Sequence, residues 1–431
     1  MTPRGGSGRA DAGHLTIRLC VMMLLQFLAF GSWFQTLGLV MATFGMASSI
    51  GLAYSSASIG AFVAPLLVGS LADRWFRSER VLAAVHLACA GLMIVLRQSV
   101  LAGSEGWTLA LVFVYMAFYM PTMGITNSII FRHMGEGDRR FPYVRVFGTI
   151  GFVVAGVVVG QSGLSASPGV FLVSAAVSAA MVVYSLTLPP TPPAGKGGKF
   201  SFADLVGAKA FVLFRQANFR VFATCVLLAG VPLALYTAYA SAYIDALGVK
   251  NVATVLAIGP VSEIVFVVTI PWLLRTVGMR WALLVGLASW AVRLPLLALA
   301  AGTGTTPLII AIAMHGVCND FLLVLGAMYV SSLCPPEISA QGQSLFTMLY
   351  SGLGALIGSV FGNVVFNSAV APRLASDGAG AWVPLWTIGA CTAGVAAVLW
   401  VAGYRRRSGG TTARTVEPAG TAATATTVSE A

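Results

Sequence analysis

The sequence predicts an all-α integral membrane protein with twelve membrane-spanning helices in two halves of six, and three observations support this fold class. Of 431 residues, 58% are apolar and only 9% are charged, whereas about a quarter of the residues in ordinary soluble domains are charged. The apolar residues form long runs, and a helix needs about 20 of them to cross the hydrocarbon core. The basic residues lie mainly between these runs. Because lipid offers no partners to the backbone, such runs favour helices.

The apolar runs divide into two sets of six. In the first half they lie at 19–44, 49–72, 81–101, 107–131, 144–163 and 167–188, and in the second at 219–247, 251–274, 281–301, 307–331, 340–368 and 382–404. The predicted domains are an N-terminal tail (1–14), an N-terminal six-helix bundle (15–188), a linker with an amphipathic helix (189–218), a C-terminal six-helix bundle (219–404) and a disordered tail (405–431). Gly354, Gly358 and Gly362 recur every four residues, a spacing that predicts close helix packing.

The distribution of basic residues predicts the orientation. Twenty of the 25 Lys and Arg residues fall in the tails and in loops on one predicted side, whereas Arg97, Lys250 and Arg373 fall in loops on the other. Since cytoplasmic loops carry the excess of positive charge, and an even number of spans returns the chain to its starting side, we expect both termini in the cytoplasm. The predicted location is the inner membrane of a bacterium.

The composition argues against several functional classes. The net charge of +11 lies in loops rather than on one folded face, so nucleic acid is not an expected partner. The six cysteines show no CxxC spacing, and we predict no metal site and no cofactor. No clustered acid, base or nucleophile predicts an enzyme. The expected surroundings are a lipid bilayer.

After the loops and the residues near them are subtracted, four charged residues remain at membrane depth: Arg145, Glu263, Arg293 and Asp320. Each costs about 2.5–3.5 kcal/mol to insert, so such residues usually face a cavity or a partner. Arg293 and Asp320 are interpreted either as a structural pair between neighbouring helices or as part of a proton path. Glu263 follows Gly259 and Pro260, which are expected to disturb the helix and free carbonyl groups. Glu263 is therefore the main candidate for the transport path, with Asp320 as a second proton-coupling candidate.

Two polar helix faces complete the candidate site. Arg145, Thr149 and Phe152 follow at helical spacing and place a cation, a hydroxyl and an aromatic ring on one face. The alternative is that Arg145 extends to the cytoplasmic surface and Phe152 packs against a neighbour. His315 and Asn319 form a second face beside Asp320, although a lone histidine is more often structural than titrating.

Motifs along the chain resemble a known transporter family. The run Gly69-Ser-Leu-Ala-Asp73-Arg74 resembles the loop motif of the major facilitator superfamily, which implies a conformational role for Asp73 and Arg74 and a substrate site between the halves. Further runs resemble the bacterial nucleoside:proton symporters of this superfamily. They are GSWFQTLG (31–38), YSSASIG (54–60), YMPTMGITNSI (119–129), FPYVRVFGTIGF (141–152), SEIVFVVTIPWLL (262–274) and SAQGQSLF (339–346).

The resemblance implies an activity and a set of contacts. It implies proton-coupled uptake of nucleosides or a related small polar solute by a monomer, with Arg145, Thr149, Phe152 and Glu263 contacting the solute. The chain departs from the family where the base is expected to bind. Pro260 stands at a family glutamine, Ala234 and Thr237 lie near amide positions, and His315 and Asn319 align with two aromatic contacts. Changed base preference is therefore expected.

Two alternatives belong to other functional classes. An exporter of drugs or metabolites would use the same fold, but the fifth span, GFVVAGVVVGQSG (151–163), lacks the proline of the Gly-Pro motif that proton-drug antiporters usually carry there. A polytopic membrane enzyme or a transporter-like sensor is the other alternative. An enzyme would need clustered catalytic groups, and the four charges within the spans are separated along the chain.

Overall fold

The computed structural model describes residues 7–67, 76–135, 138, 140–192 and 208–405, and every regular element in this part of the chain is helical. We number the α-helices α1 to α17 in chain order. The first half contains α1 (Ser7–Phe34), α2 (Leu37–Thr43), α3 (Ile50–Leu67), α4 (Ser78–Leu101), α5 (Glu105–Met134), α6 (Phe141–Gln161) and α7 (Gly169–Thr187).

The second half is more interrupted. It contains α8 (Ala217–Ala246), α9 (Val252–Leu256), α10 (Ile258–Thr276), α11 (Gly278–Thr303), α12 (Thr305–Ala313), α13 (His315–Leu333), α14 (Ser339–Thr347), α15 (Ala355–Val365), α16 (Leu374–Asp377) and α17 (Val383–Gly403). Two π-helical segments, Met348–Gly354 and Phe366–Val370, flank α15.

The lengths and composition of these helices match a membrane protein. Among the described residues, 10 helical segments are long and apolar enough to cross a membrane. The last of them, 339–403, has 65 residues, which is too long for one crossing at about 1.5 Å per residue, and a glycine with positive φ, Gly378, lies within it. The 18 residues of α3 supply the described part of a further crossing. The predicted all-α membrane fold is confirmed, and these helices are consistent with twelve crossings.

Some predicted boundaries differ from the observed ones. The first helix begins at Ser7, within the predicted N-terminal tail, and the run 19–44 is interrupted between Phe34 and Leu37. Within the predicted linker, Ala208–Arg215 forms a 3-10 helix, and the rest of the predicted amphipathic stretch lies outside the described residues. The domain boundaries stay predictions.

Helix breaks lie next to the candidate site. A break at Ala257 separates α9 from α10, three residues before Pro260. Proline lacks an N–H and its ring clashes with the carbonyl four residues earlier, so the predicted disturbance of the helix follows from the sequence. The disturbance is local, because Ala257 keeps helical hydrogen bonds to Ala253 and from Val261. A second break at Met314 separates α12 from α13 immediately before His315.

Small residues allow the helices to approach closely. A side-chain Cβ built on Gly354 would lie 3.1 Å from the Cα of Gly230, and one on Gly358 would lie 2.7 Å from the Cα of Val231. Both contacts are with α8, so the predicted packing role of this glycine series is confirmed.

The two halves meet tightly at one end of the molecule. The Leu39 amide donates to Ser241 Oγ at 3.1 Å, and the Gly51 amide donates to Asn363 Oδ1 at 3.1 Å. A Cβ on Gly156 would lie 2.9 Å from the carbonyl oxygen of Ala253. These contacts lie where α1 and α6 end, so they close the interface between the halves at that end.

Candidate functional site

A cavity of about 290 Å³ lies between the two halves, near the middle of the helices. Cavities that hold small molecules typically have volumes from about 300 Å³ upward, so this one fits a small solute. Its lining residues are Phe27, Phe30, Phe34, Gln35, Thr149, Phe152, Leu233, Tyr236, Thr237, Ala240, Leu256, Gly259, Pro260, Glu263, His315 and Asn319. A neighbouring cavity of about 260 Å³ shares Phe30, Phe34, Leu233 and Thr237, and includes Ala234.

The wall from the first half is aromatic. Phe27, Phe30 and Phe34 lie on one face of α1, because their spacing of three and four residues matches the helical repeat. The rings of Phe30 and Phe34 stack with centroids 4.4 Å apart, and Phe152 on α6 lies 6.1 Å from Phe30. Gln35 donates to the Phe152 carbonyl oxygen at 3.1 Å. This wall therefore presents mainly aromatic side chains and few polar groups.

Two glycines hold this wall together. A Cβ on Gly148 would lie 2.8 Å from the Phe27 ring, and one on Gly31 would lie 2.9 Å from the Phe152 ring. Because any larger residue would displace a lining phenylalanine, the glycines let α1 and α6 pack along each other. Thr149, next to Gly148, reaches the same cavity.

The wall from the second half is polar and centres on Glu263. Asn319 Nδ2 donates to Glu263 Oε1 at 2.7 Å, and His315 Nε2 lies 3.2 Å from the same oxygen. The side chains of Glu263 and His315 are 23% and 15% exposed. The structure thus brings together the predicted residues of spans eight and ten.

The contact between α10 and α13 explains this arrangement. Ser262 Oγ accepts from the Gly316 amide at 2.8 Å and donates to the Gly259 carbonyl oxygen at 2.6 Å. A Cβ on Gly316 would lie 2.6 Å from the Ser262 carbonyl oxygen, so only glycine permits this approach. Ser262 immediately precedes Glu263 in α10, and Gly316 follows His315 in α13. The close contact therefore sets the carboxylate against the imidazole.

Arg293 does not pair with Asp320. It is completely buried on α11, donates through Nε to the Ala311 carbonyl oxygen at 2.7 Å, and lies with Nη1 3.0 Å from His315 Nδ1. Asp320 is 7% exposed, and its Oδ2 has no hydrogen-bond partner. The interpretation of these two residues as a structural pair is wrong, since Arg293 turns toward His315 instead.

The remaining predicted site residues lie in different places. Thr149, Phe152, Thr237, Glu263, His315 and Asn319 line the cavity, whereas Arg145 is exposed and does not. Arg145 lies on the same face as Thr149, but one helical turn further toward the start of α6. Asp73 and Arg74 lie outside the described residues. Their roles, and that of Arg145, stay predictions.

Sequence reasoning missed several lining residues. Phe27, Phe30, Phe34, Gln35 and Tyr236 were not among the candidates. The spacing of the three phenylalanines indicates that they share a face of α1, but not what that face contacts. Among the described residues, no group of three or more His, Cys, Asp or Glu side chains is placed to hold a metal ion.

The helical fold and the cavity between the halves define a membrane transporter of the major facilitator type. The profile of the family described as Nucleoside H+ symporter matches residues 14–409. The chain belongs to the nucleoside H+ symporter family.

Individual relatives agree with this assignment. The putative nucleoside transporter YegT of Escherichia coli (strain K12) is 33% identical over 415 residues, which cover 93% of this chain and 96% of that protein. Xanthosine permease of the same strain is 28% identical over 409 residues, covering 91% and 96%. The crystal structure of the nucleoside transporter NupG covers 91% of this chain and 100% of that chain, at 28% identity and a TM-score of 0.81. These relatives are permeases and transporters, so the prediction that the chain is not an enzyme is confirmed.

Proposed function

We propose that this chain imports nucleosides together with protons across the bacterial inner membrane, as a monomer with both termini in the cytoplasm. The observation that carries the proposal is a cavity between the halves in which an aromatic wall faces a carboxylate with two neighbouring donors. Family membership supports the coupling of nucleoside to proton.

The two walls fit the two parts of a nucleoside. A base is flat and aromatic, and stacks favourably on rings such as Phe30 and Phe152. Ribose hydroxyls and base N–H groups are donors that need acceptors. Thr237 donates its own hydroxyl hydrogen to the Leu233 carbonyl oxygen at 2.8 Å, so its oxygen is an acceptor toward the cavity.

Glu263 is the proposed link between solute and proton. The two hydrogen bonds described for this carboxylate both end on Oε1, at which Asn319 and His315 converge. Oε2 is then the oxygen that accepts a solute donor or a proton. Asp320 is the second candidate because it carries a buried oxygen without a partner, a state that gaining a proton relieves.

The closed end of the interface supports a mechanism of alternating access. The contacts of Leu39 with Ser241 and of Gly51 with Asn363 lie at the end where α1 finishes. With the N-terminus in the cytoplasm, this is the outer end, so the described state has its outer side closed. Transport then requires these contacts to open while the inner ends approach.

The base that binds is expected to differ from the common preference of the family. Pro260, Thr237, His315 and Asn319 all line the cavity at positions where the resemblance implies amide or aromatic contacts, whereas Ala234 lines the neighbouring cavity. An exchange of ring contacts for hydrogen-bonding groups changes which base edges are satisfied.

The test is uptake of radiolabelled uridine, adenosine and xanthosine in cells that lack their own nucleoside carriers, with and without a protonophore. We expect accumulation of at least one nucleoside that the protonophore abolishes, and loss of accumulation in a Glu263→Gln, Asp320→Asn double variant. Glu337→Gln is the matched control, since Glu337 is exposed and outside the cavity. Accumulation that persists in the double variant would contradict the coupling role. Extrusion from energised cells would favour an exporter.

A further inference from the structure

Arg293 is a buried cation that contacts His315, the neighbour of Glu263, and makes no direct ion pair among the described residues. Its guanidinium carbon lies 3.6 Å from the centroid of the Tyr236 ring, and Tyr236 lines the cavity. Nε is bound to the Ala311 carbonyl oxygen, and Nη1 reaches His315 Nδ1. Nη2 is buried and has no hydrogen-bond partner. Because a buried charge is costly unless it is hydrogen-bonded, the contacts of Nε, Nη1 and the Tyr236 ring are the ones that hold the guanidinium in place.

The contact with Arg293 determines where His315 carries its proton. A guanidinium has only donors, and a neutral imidazole has one donor and one acceptor nitrogen. Because Nη1 donates to Nδ1 at 3.0 Å, Nδ1 is the acceptor and the proton of His315 resides on Nε2. Nε2–H then donates to Glu263 Oε1 at 3.2 Å. The hydrogen bonds therefore run in one direction, from Arg293 through His315 to the carboxylate.

We infer that Arg293 is a positioning residue that occupies Nδ1 of His315, keeps the imidazole neutral, and thereby directs an incoming proton to Glu263. The proton adds to a carboxylate oxygen of Glu263 and removes its negative charge, while His315 keeps its single Nε2 proton. This inference rests on the proposed role of Glu263. It assigns His315 the role of a fixed donor instead of a proton carrier.

Other titratable groups around His315 do not supply an alternative partner for Nδ1. Tyr236 of α8 lies beside the imidazole with ring centroids 5.6 Å apart, and it also lies under the guanidinium. The remaining titratable groups near Arg293, His315 and Glu263 are Cys318 and Asp320 on α13 and Tyr350 on the π-helical segment before α15. The only hydrogen bond described for Nδ1 is the one with Arg293.

The first test reads the tautomer directly in the folded, full-length protein. The sequence has four histidines, so the nitrogen signals of ¹⁵N-histidine-labelled protein are few, and those missing in His315→Gln belong to His315. We expect a protonated Nε2 and an unprotonated Nδ1 from pH 5 to pH 8. A proton on Nδ1, or an imidazolium within this range, would overturn the inference. Because no transport is measured, this result is independent of whether nucleosides are the solute.

The second test removes the donor. In Arg293→Leu, Nδ1 is free to take a proton, and histidines ordinarily change charge between pH 5 and 8. We expect the pH profile of nucleoside binding to gain one additional protonation step. Arg293→Lys, which keeps a charged donor, should retain the single-step profile.

A double variant identifies the group that titrates. Glutamine can accept and donate hydrogen bonds but cannot take up a proton in this range. The additional step should therefore vanish in Arg293→Leu, His315→Gln. A profile of Arg293→Leu that superimposes on that of the parent protein would overturn the inference. Should Arg293→Leu fail to fold, the nitrogen spectra of the parent protein and the pH profile of Arg293→Lys test the inference instead. An imidazolium between pH 5 and pH 8, or a second protonation step in Arg293→Lys, would overturn it.

Discussion

The two walls of the cavity come from halves of similar helical architecture, yet their chemistry is opposite. The first half contributes Phe27, Phe30, Phe34 and Phe152, with Gln35 bonded back to the Phe152 carbonyl oxygen. The second half contributes the hydrogen-bonded group formed by Glu263, His315 and Asn319. Among the residues that line the cavity, the ionisable side chains thus all belong to the second half.

Helix interruptions lie beside both walls. On the aromatic side α1 ends at Phe34 and α2 begins at Leu37, and on the polar side single-residue interruptions at Ala257 and Met314 precede Glu263 and His315. The side chains therefore distinguish the two walls, and we expect the aromatic wall to recognise the solute by shape and stacking and the polar wall to couple it to the proton.

The largest effect is expected from Glu263→Gln. Glutamine keeps an oxygen for Asn319 and His315 but cannot carry the proton, so binding should survive while coupling is lost. One charge moved across 100 mV is worth about 2.3 kcal/mol, which corresponds to roughly 50-fold accumulation. We expect accumulation to fall to equilibrium, measured as the ratio of internal to external labelled nucleoside. Retained exchange of internal for external solute is the control for folding. Undiminished accumulation would place the proton elsewhere.

The next effect is on stability and comes from giving the polar wall an aromatic side chain. In His315→Phe, Nη1 of Arg293 loses its acceptor while it remains completely buried. Leaving a buried donor without an acceptor costs about 1–3 kcal/mol, so the apparent Tm in detergent should fall. His14→Phe is the control, since His14 is exposed.

A double variant sharpens this stability prediction. Removing both partners with apolar groups is far less costly than removing one. Arg293→Leu, His315→Phe should therefore unfold at a higher temperature than His315→Phe alone. Equal or lower stability of the double variant would show that Arg293 does not depend on His315.

The fold could be predicted from sequence because membrane crossing leaves so few choices. Apolar runs of sufficient length must be helices in lipid, and the position of Pro260 indicated the break before Glu263. The faces of Thr149 with Phe152 and of His315 with Asn319 followed from helical spacing alone. These are local properties of one helix each.

Contacts between helices were harder to predict. The pairing of Arg293 with Asp320 was one of two interpretations and rested on their helices being neighbours, yet Asp320 lies five residues after His315. At about 100° per residue it points roughly 140° away from it on α13, toward another side of the helix. The contact of His315 with Glu263 depends on the approach permitted by Gly316 and Ser262, which no single helix reveals.

The aromatic wall was missed for a different reason. Phenylalanines that face lipid and phenylalanines that face a cavity satisfy the same apolar pattern, so Phe27, Phe30 and Phe34 read as ordinary membrane residues. Only the packing of α1 against α6 through Gly31 and Gly148 distinguishes them.

On the aromatic wall, Phe152→Ala should weaken binding without changing coupling. Stacking of a base on an aromatic ring contributes about 1–3 kcal/mol, so we expect Kd to rise about tenfold. The accumulation ratio at saturating nucleoside should remain that of the parent protein. Phe147→Ala is the matched control, because Phe147 lies on the same helix and does not line the cavity. Loss of coupling in Phe152→Ala would break the division between the walls.

The smallest effect is expected from Thr149→Val, which removes the hydroxyl of the aromatic wall at nearly constant shape. A single neutral hydrogen bond contributes about 0.5–1.5 kcal/mol, so Kd should rise only about two- to tenfold. Thr149→Ser keeps the hydroxyl and should restore most of the affinity. Equilibrium binding of labelled nucleoside to purified protein measures both. A loss as large as that of Glu263→Gln, or one that serine does not correct, would mean that the first half also contributes an essential polar contact. The two walls would then share recognition instead of dividing it.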